Sequence, residues 1–401
     1  MYSRSIKAGA FVLEGLNALA TTWYFFYIYF FMQERFGFGK LQNLLLAAGL
    51  GFIYTFAAIF GGRFAQKFGY FRALKTGFFL LAAALAVGTQ RESLPAHLAV
   101  MIVGTIGMCF TWPTLQALVS EGEPPRRLQK MVGIYNLVWS LASAFAYFTG
   151  GAMIEAWGLK AMFIVPAAIH FVQLALTLWL ERKAKLSPAL SPATPPENSA
   201  PLHPAARRCS PLSPKAFLKM AWLANPFAYL AVNTIVAVIP SLAQQLHLTP
   251  RLAGYFCSVW LFVRAGAFLF LWLWPGWHYR FRWLVSAYVA MVASFSLMLL
   301  VPNLAALFAA QLVFGIAIGL IYYSSLFYSM DVGDTKGEHG GLHEAAIGLG
   351  SCAGPAIGAA ALRFFPGDPS GSVWAVSGVL VCGLVGLVWL RGRAGKMTND
   401  E

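Results

Sequence analysis

Along this chain, long apolar stretches follow one another, separated by short polar turns. A helix needs about 20 apolar residues to cross a bilayer. Twelve stretches meet that length, near 8–32, 41–60, 73–89, 95–118, 131–153, 159–180, 217–242, 250–275, 283–300, 303–329, 342–363 and 371–390. The pattern predicts an all-α membrane protein of twelve transmembrane helices. An even number of spans puts both termini on one side. The first stretch follows "MYSRSIK" with no clear small-residue cleavage site, so it reads as a retained helix that also directs insertion.

The longest polar segment, residues 186 to 214, holds eight prolines and splits the spans six and six. Proline lacks the amide proton and disfavours helix in the residue before it. The expected organisation is a six-helix bundle at 1–182, a flexible linker at 183–216, and a second bundle at 217–401 with a short tail. The halves resemble each other. "GIYNLVWSLASAFAYFTGG" from Gly133 aligns without gaps to "GLHEAAIGLGSCAGPAIGA" from Gly341, so that Ala142, Ala146 and Gly150 meet Gly350, Gly354 and Gly358. Small residues at every fourth position form one smooth stripe, which allows close helix approach in lipid. Phe71-Arg72 after span 2 likewise matches Phe281-Arg282 after span 8. These offsets point to a duplicated unit.

Composition agrees with a membrane interior. The chain has 401 residues, 59% hydrophobic and only 11% charged, against roughly 25% charged in a soluble domain. The net charge of +14 does not indicate nucleic acid, because the basic residues sit in short loops between apolar runs. Lys and Arg there act as topology signals. With the N-terminus inside, the inner segments carry 22 of the 29 Lys and Arg residues, the outer loops carry 6, and Arg264 lies within a span. That excess predicts both termini in the cytoplasm and residence in the inner membrane. The five cysteines have no CxxC or paired spacing and read as small hydrophobes; no metal site or cofactor is expected.

One turn stands out. "GGRFAQKFGYFR", residues 61 to 72, packs three glycines and three basic residues between two apolar stretches. Gly62 and Gly69 allow a tight reversal and close backbone approach. With twelve spans, a central linker and this turn after span 2, the chain resembles the major facilitator superfamily. That family's signature is matched by Gly62, Lys67, Gly69 and Arg72, and departs at its acidic place, here Gln66. The resemblance implies two pseudo-symmetric six-helix bundles, secondary active transport by alternating access, and a turn that latches one access state against the second half. Span 11 has its own acid near its start, so Glu344 is expected to pair with Lys67 or Arg72 when the cytoplasmic face is closed. The family's antiporter signature is absent from span 5, where "SLASAFAYFTGG" lacks a Gly-Pro pair; Gly354-Pro355 occurs in span 11 instead.

An ionisable group in the hydrocarbon costs about 2.5–3.5 kcal/mol by insertion scales and is a functional candidate by default. Arg264, in "WLFVRAGAFLF", lies about twelve residues from either end of its span, too deep to snorkel easily. It is expected to face an aqueous cavity, a carboxylate or an anionic substrate. Glu14 shares a helical face with Asn17 and Thr21. The resemblance places spans 1, 4, 7 and 10 around the central cavity, which makes Asn17, Trp112, Asn233, Gln311, Tyr322 and Tyr323 substrate-binding candidates beside Arg264. Glu14, Glu344 and His343 are the proton-coupling candidates, since protonation neutralises a charge that resists occlusion. The bland alternatives are an interhelical hydrogen bond for Glu14, a favourable helix-end charge for Glu344, and a structural role for His170 on span 6.

No P-loop, HExxH or sizeable soluble domain occurs, so the chain does not read as an enzyme or an ATP-driven pump. The expected function is proton-coupled movement of a small organic solute by a monomer in the lipid bilayer. The alternatives are a lipid or lysolipid flippase on the same fold and, behind it, a membrane-embedded enzyme or receptor.

Overall fold

A computed structural model describes residues 2–186, 212–301, 303–332, 336–368 and 370–397. Residues 187–211, the core of the proline-rich linker, lie outside the described residues. The rest folds into α1 (Arg4–Phe36), α2 (Lys40–Phe68), α3 (Tyr70–Gly88), α4 (Leu94–Ser120), α5 (Pro125–Trp157), α6 (Ala161–Leu186), α7 (Pro214–Gln245), α8 (Pro250–Leu273), α9 (Phe281–Leu300), α10 (Leu304–Val332), α11 (Lys336–Phe364) and α12 (Gly371–Met397). There is no strand among the described residues.

Eleven of these helices are long and apolar enough to cross a membrane by length and composition. The exception, α1, carries the buried polar residues Glu14, Asn17, Thr21 and Thr22 on its inward face. Its polarity follows from where it sits: it lines the interior, so lipid does not select its composition. The lipid-facing side of the molecule is apolar, with Phe52, Phe56, Phe60, Phe171, Trp179, Phe270, Trp374 and Trp389 all exposed.

The helices run alternately up and down. At the end holding the described chain termini, Lys7 of α1 donates to the carbonyls of Val119 (3.1 Å) and Glu121 (2.8 Å) and pairs with Glu123 at 2.6 Å, capping α4. Tyr70 at the start of α3 donates to the Glu121 carboxylate at 2.8 Å. At the opposite end, Arg35 pairs with Glu92 (3.0 Å) and Arg251 with Glu155 (2.9 Å). Side-chain caps mark the expected starts. Ser3 accepts from the Ile6 amide, Ser213 from Ala216, and Thr249 from Leu252. The "GGRFAQKFGYFR" turn is a one-residue joint: α2 ends at Phe68, α3 begins at Tyr70, and Gly69 between them holds φ +94. Only glycine adopts that conformation without strain.

α1–α6 form one bundle and α7–α12 the other. Two seams join them, α2 against α11 and α5 against α8. Both are built on glycine. A Cβ at Gly51 of α2 would collide with the backbone of Ser351 and Cys352, and one at Gly348 of α11 with Thr55. The duplicated small-residue stripes do the same work inside each half. Gly150 of α5 lies against Tyr27 of α1, while Gly350 and Gly354 of α11 lie against the backbone of Pro226 and Leu230 in α7. α1 and α7 are equivalent helices six spans apart, so the repeat read from the sequence is a repeat of packing.

Gly51→Ala is expected to lower the melting temperature by the equivalent of about 1–3 kcal/mol, because backbone on the far side of the seam leaves the methyl nowhere to go. Gly49→Ala, two residues earlier on the opposite, exposed face of α2 and facing open space, is expected to be neutral or stabilising. Equal melting temperatures for the two variants, measured in detergent, would show that the seam yields.

Candidate functional site

Between the bundles lies a cavity of about 200 Å³. The resemblance named α1, α4, α7 and α10 as its walls, and all four contribute: Thr21 and Thr22, Trp112, Asn233, and Tyr322. The two seams contribute as much. Tyr54 from α2, Trp139 from α5, Trp260 and Arg264 from α8, and Glu344 and Ser351 from α11 also line it. Aromatic rings are the commonest lining groups, nine of 24 residues, and two lining residues carry charge.

Arg264 is 3% exposed and stacks between two indoles from opposite halves. Its guanidinium carbon lies 4.4 Å from the Trp139 ring centroid and 4.9 Å from that of Trp260. Cation–π contacts of this kind are worth about 2 kcal/mol or more when desolvated. Trp139 is held in turn by Tyr322 (5.1 Å), Phe268 (5.6 Å) and the edge of Trp112 (6.1 Å). Among the described residues no carboxylate pairs with Arg264, and its buried Nε has no hydrogen-bond partner. A desolvated cation without an anion is a costly arrangement in a protein interior. Tyr322 lines the same cavity as Arg264 and Glu344 and lies within electrostatic reach of both.

Glu344, by contrast, is satisfied. Its Oε2 accepts from the Tyr54 hydroxyl at 2.7 Å, and its Oε1 accepts a short bond from the Gln116 amide. Both donors belong to the other half. The expected pairing with Lys67 or Arg72 is therefore corrected here: Glu344 points into the cavity, one turn deeper than Gly341, while Gln66, Lys67 and Arg72 are exposed at the end holding the termini. The motif's glycine does reach across. Gly341 at the start of α11 packs on Gly62 and Ala58 of α2.

α8 is not one continuous helix. Its helical run breaks at Ser258, between Pro250–Cys257 and Val259–Leu273. Gln311 of α10 brackets the break, donating to the Phe256 carbonyl at 2.8 Å and accepting from the Trp260 amide at 3.3 Å. Gln311 is thus a support for Trp260 and Arg264 and not part of the cavity wall. Tyr323 also faces away, packing against Trp277 and Phe268. His343 is fully buried behind Tyr322 and meets the Ser325 hydroxyl at 3.1 Å. His170 takes its structural reading, hydrogen-bonded to Gln173 at 2.7 Å and stacked on Phe78.

Glu14 and Asn17 lie below the cavity floor, both fully buried; among the described residues the Asn17 amide has no hydrogen-bond partner and no cation pairs with Glu14, whose carboxylate has the Tyr135 hydroxyl beside it at the limit of hydrogen-bond reach. Tyr135 and Glu344 are within electrostatic range of Glu14. Asn233 does reach the cavity and donates to Ser351 at 2.7 Å, tying α7 to α11.

A family model described as Major Facilitator Superfamily matches residues 10–355. A methylenomycin A resistance protein of Streptomyces coelicolor is 26% identical over 132 residues, which is 32% of this chain and 27% of that protein. The match thus spans about a quarter of that relative's length. Among solved structures, the human organic anion transporter MFSD10 (TETRAN) superposes with a TM-score of 0.70 at 15% identity, covering 96% of this chain and 99% of that one. A bacterial homologue of the human lysosomal transporter Spinster, inward-facing and unoccupied, gives 0.63 at 15% identity over 99% and 97%. At such identities the likeness is one of fold.

Proposed function

Because the chain belongs to the major facilitator superfamily, we propose that it is a secondary active transporter that carries a small organic anion with an apolar or aromatic body. The observation that carries this reading is Arg264, a cation stacked between Trp139 and Trp260 in a cavity whose single lining carboxylate is already bonded to Tyr54 and Gln116. An anionic head would take the guanidinium fork, and the body would lie among Trp112, Tyr229 and Tyr322. That MFSD10 is an organic anion transporter agrees with it. The two halves rock about this midplane site and expose it in turn to each side.

The distribution of Lys and Arg supports placing the end with the termini in the cytoplasm, as expected of an inner-membrane protein. Glu14 supports proton coupling: a fully buried carboxyl with no cation beside it among the described residues is far less costly neutral than charged, so a proton would accompany occlusion. One chain encloses the whole cavity, and a monomer suffices. A second reading, transport of an amphipathic lipid or lysolipid, is favoured by one feature. An apolar groove of about 390 Å³ between α2 and α4, lined by Leu45, Ile53 and Ile102, shares Leu50 with the central cavity.

The test is counterflow in proteoliposomes against a panel of organic anions, zwitterions, cations and lysolipids, with and without an imposed pH gradient. Aromatic or branched apolar monoanions are expected to exchange, and a gradient is expected to drive accumulation. Equal exchange of cations or neutral solutes would overturn the anion reading, and exchange confined to lysolipids would select the second.

A further inference from the structure

The chain repeats itself at one more place. Trp179, Glu181 and Lys183 at the end of α6 align with Trp389, Arg391 and Arg393 at the end of α12, at the offset of 210 that also relates Phe71-Arg72 to Phe281-Arg282. Both copies are built alike. α6 lies against α3, and α12 against α9. Trp179 and Trp389 are 54% and 61% exposed, on the lipid-facing surface near the end that holds the termini. Each carries the cation four residues on over its ring, Lys183 at 5.1 Å and Arg393 at 5.6 Å.

The copies differ in charge. In the first half, Glu181 pairs with Lys75 of α3 at 2.6 Å and with Lys185 at 3.2 Å. In the second half, Arg391 stands where Glu181 would be and Val285 where Lys75 would be. Arg391 lies over Phe281 at 4.6 Å, and the adjoining Arg282 over Trp283 at 5.3 Å. Arg282, Arg391 and Arg393 are all exposed, and no carboxylate pairs with any of them among the described residues. A guanidinium held over an aromatic face by a cation–π contact keeps N–H groups directed away from the ring available, and that fork fits a phosphate. Three such forks border an apolar surface that includes Val385 and Val388. A soluble anion would use the forks alone; a phospholipid uses the forks and the apolar wall together.

We propose that Arg282, Arg391 and Arg393 form a site for the headgroup of an anionic phospholipid in the leaflet at the termini end, with its acyl chains along α12. The equivalent surface of the first half is built differently, because Glu181 stands where Arg391 would be and its carboxylate already occupies Lys75 and Lys185.

The full-length protein in phosphatidylcholine nanodiscs, titrated with phosphatidylglycerol and read by native mass spectrometry, tests this. The triple variant Arg282→Gln, Arg391→Gln, Arg393→Gln is expected to bind phosphatidylglycerol about a hundredfold more weakly, and Arg391→Gln alone about fivefold. The triple Arg→Lys variant keeps the charge and is expected to lose less. Arg182→Gln with Lys183→Gln, on the first half, is expected to change nothing. Melting temperatures in phosphatidylcholine confirm that each variant is folded, and Arg391→Gln stands alone if the triple variant is not. Retention of phosphatidylglycerol by Arg391→Gln and the triple variant, or equal loss in the first-half control, would overturn the site. Competition by millimolar inorganic phosphate would overturn the lipid assignment in favour of a free-anion site.

Discussion

Replacing Arg264 with alanine is expected to abolish transport in proteoliposomes while leaving a folded protein in the membrane. Losing the one charged partner of a bound anion typically costs 2–5 kcal/mol, which corresponds to roughly a 30-fold to several-thousandfold loss of substrate affinity. Folding is expected to survive because Arg264 makes no salt bridge among the described residues, so its removal strands no carboxylate there. The change forfeits two ring contacts, and Trp139 keeps those with Phe268 and Tyr322. Arg264→Lys keeps the charge but not the flat fork that fits between two indoles, and is expected to restore transport only in part. Wild-type exchange by the alanine variant, with normal insertion, would remove Arg264 from the substrate site and the anion reading with it.

Glu344 is expected to be a clasp between the halves. It stands on α11, and both its donors, Tyr54 on α2 and Gln116 on α4, belong to the other half. Hydrogen bonds to a charged acceptor contribute about 1.5–3 kcal/mol each, enough to shift the balance between access states. Glu344→Gln and Tyr54→Phe are each expected to raise labelling of a cysteine placed at Ser351 by an impermeant reagent. The double variant is expected to fall short of the sum, with a coupling of about 0.5–3 kcal/mol. A parallel cycle with Lys67→Met is expected to be additive, since Lys67 stays at the surface over Phe68. Additivity in the Tyr54 cycle, or coupling in the Lys67 cycle, would return the clasp to the loop where the sequence had suggested it.

What could be read in advance follows from how lipid selects residues. Twelve spans and a duplicated unit were legible in the apolar pattern, and Arg264 and Glu344, which line the cavity, stood out because polar groups are rare and costly at depth. Trp112, Asn233 and Tyr322, which also line it, came from the resemblance, which placed spans 4, 7 and 10 around the cavity. Trp139, Trp260, Tyr54 and Tyr229 were missed. In a chain with 13 Trp, 15 Tyr and 33 Phe, an aromatic ring serves equally well toward lipid or toward a cavity, and spacing alone does not separate the two. Gln311 and His343 failed for the opposite reason: both are polar and deep, yet one mends a broken helix and the other bonds Ser325. The break at Ser258 had no warning in sequence, because neither glycine nor proline stands there; the partner that makes it tolerable is on α10. The charge of Glu344 was read correctly and its direction was not, since one turn of helix separates the surface at Gly341 from the cavity.

The joint at Gly69 fixes how the first half transmits a displacement. A loop of several residues would let one helix tilt without the next. A single residue at φ +94 gives no slack, so whatever α11 imposes on α2 along their seam is handed to α3, and through α3 to α6. The same shortness fixes the phase of α3. Adding or deleting one residue would turn it by about 100° about its axis, carrying the buried Leu74 and Phe78 toward lipid and Lys75 away from Glu181. The length of this turn is therefore as constrained as its glycine, while its exposed side chains at Gln66, Lys67 and Arg72 have room to vary.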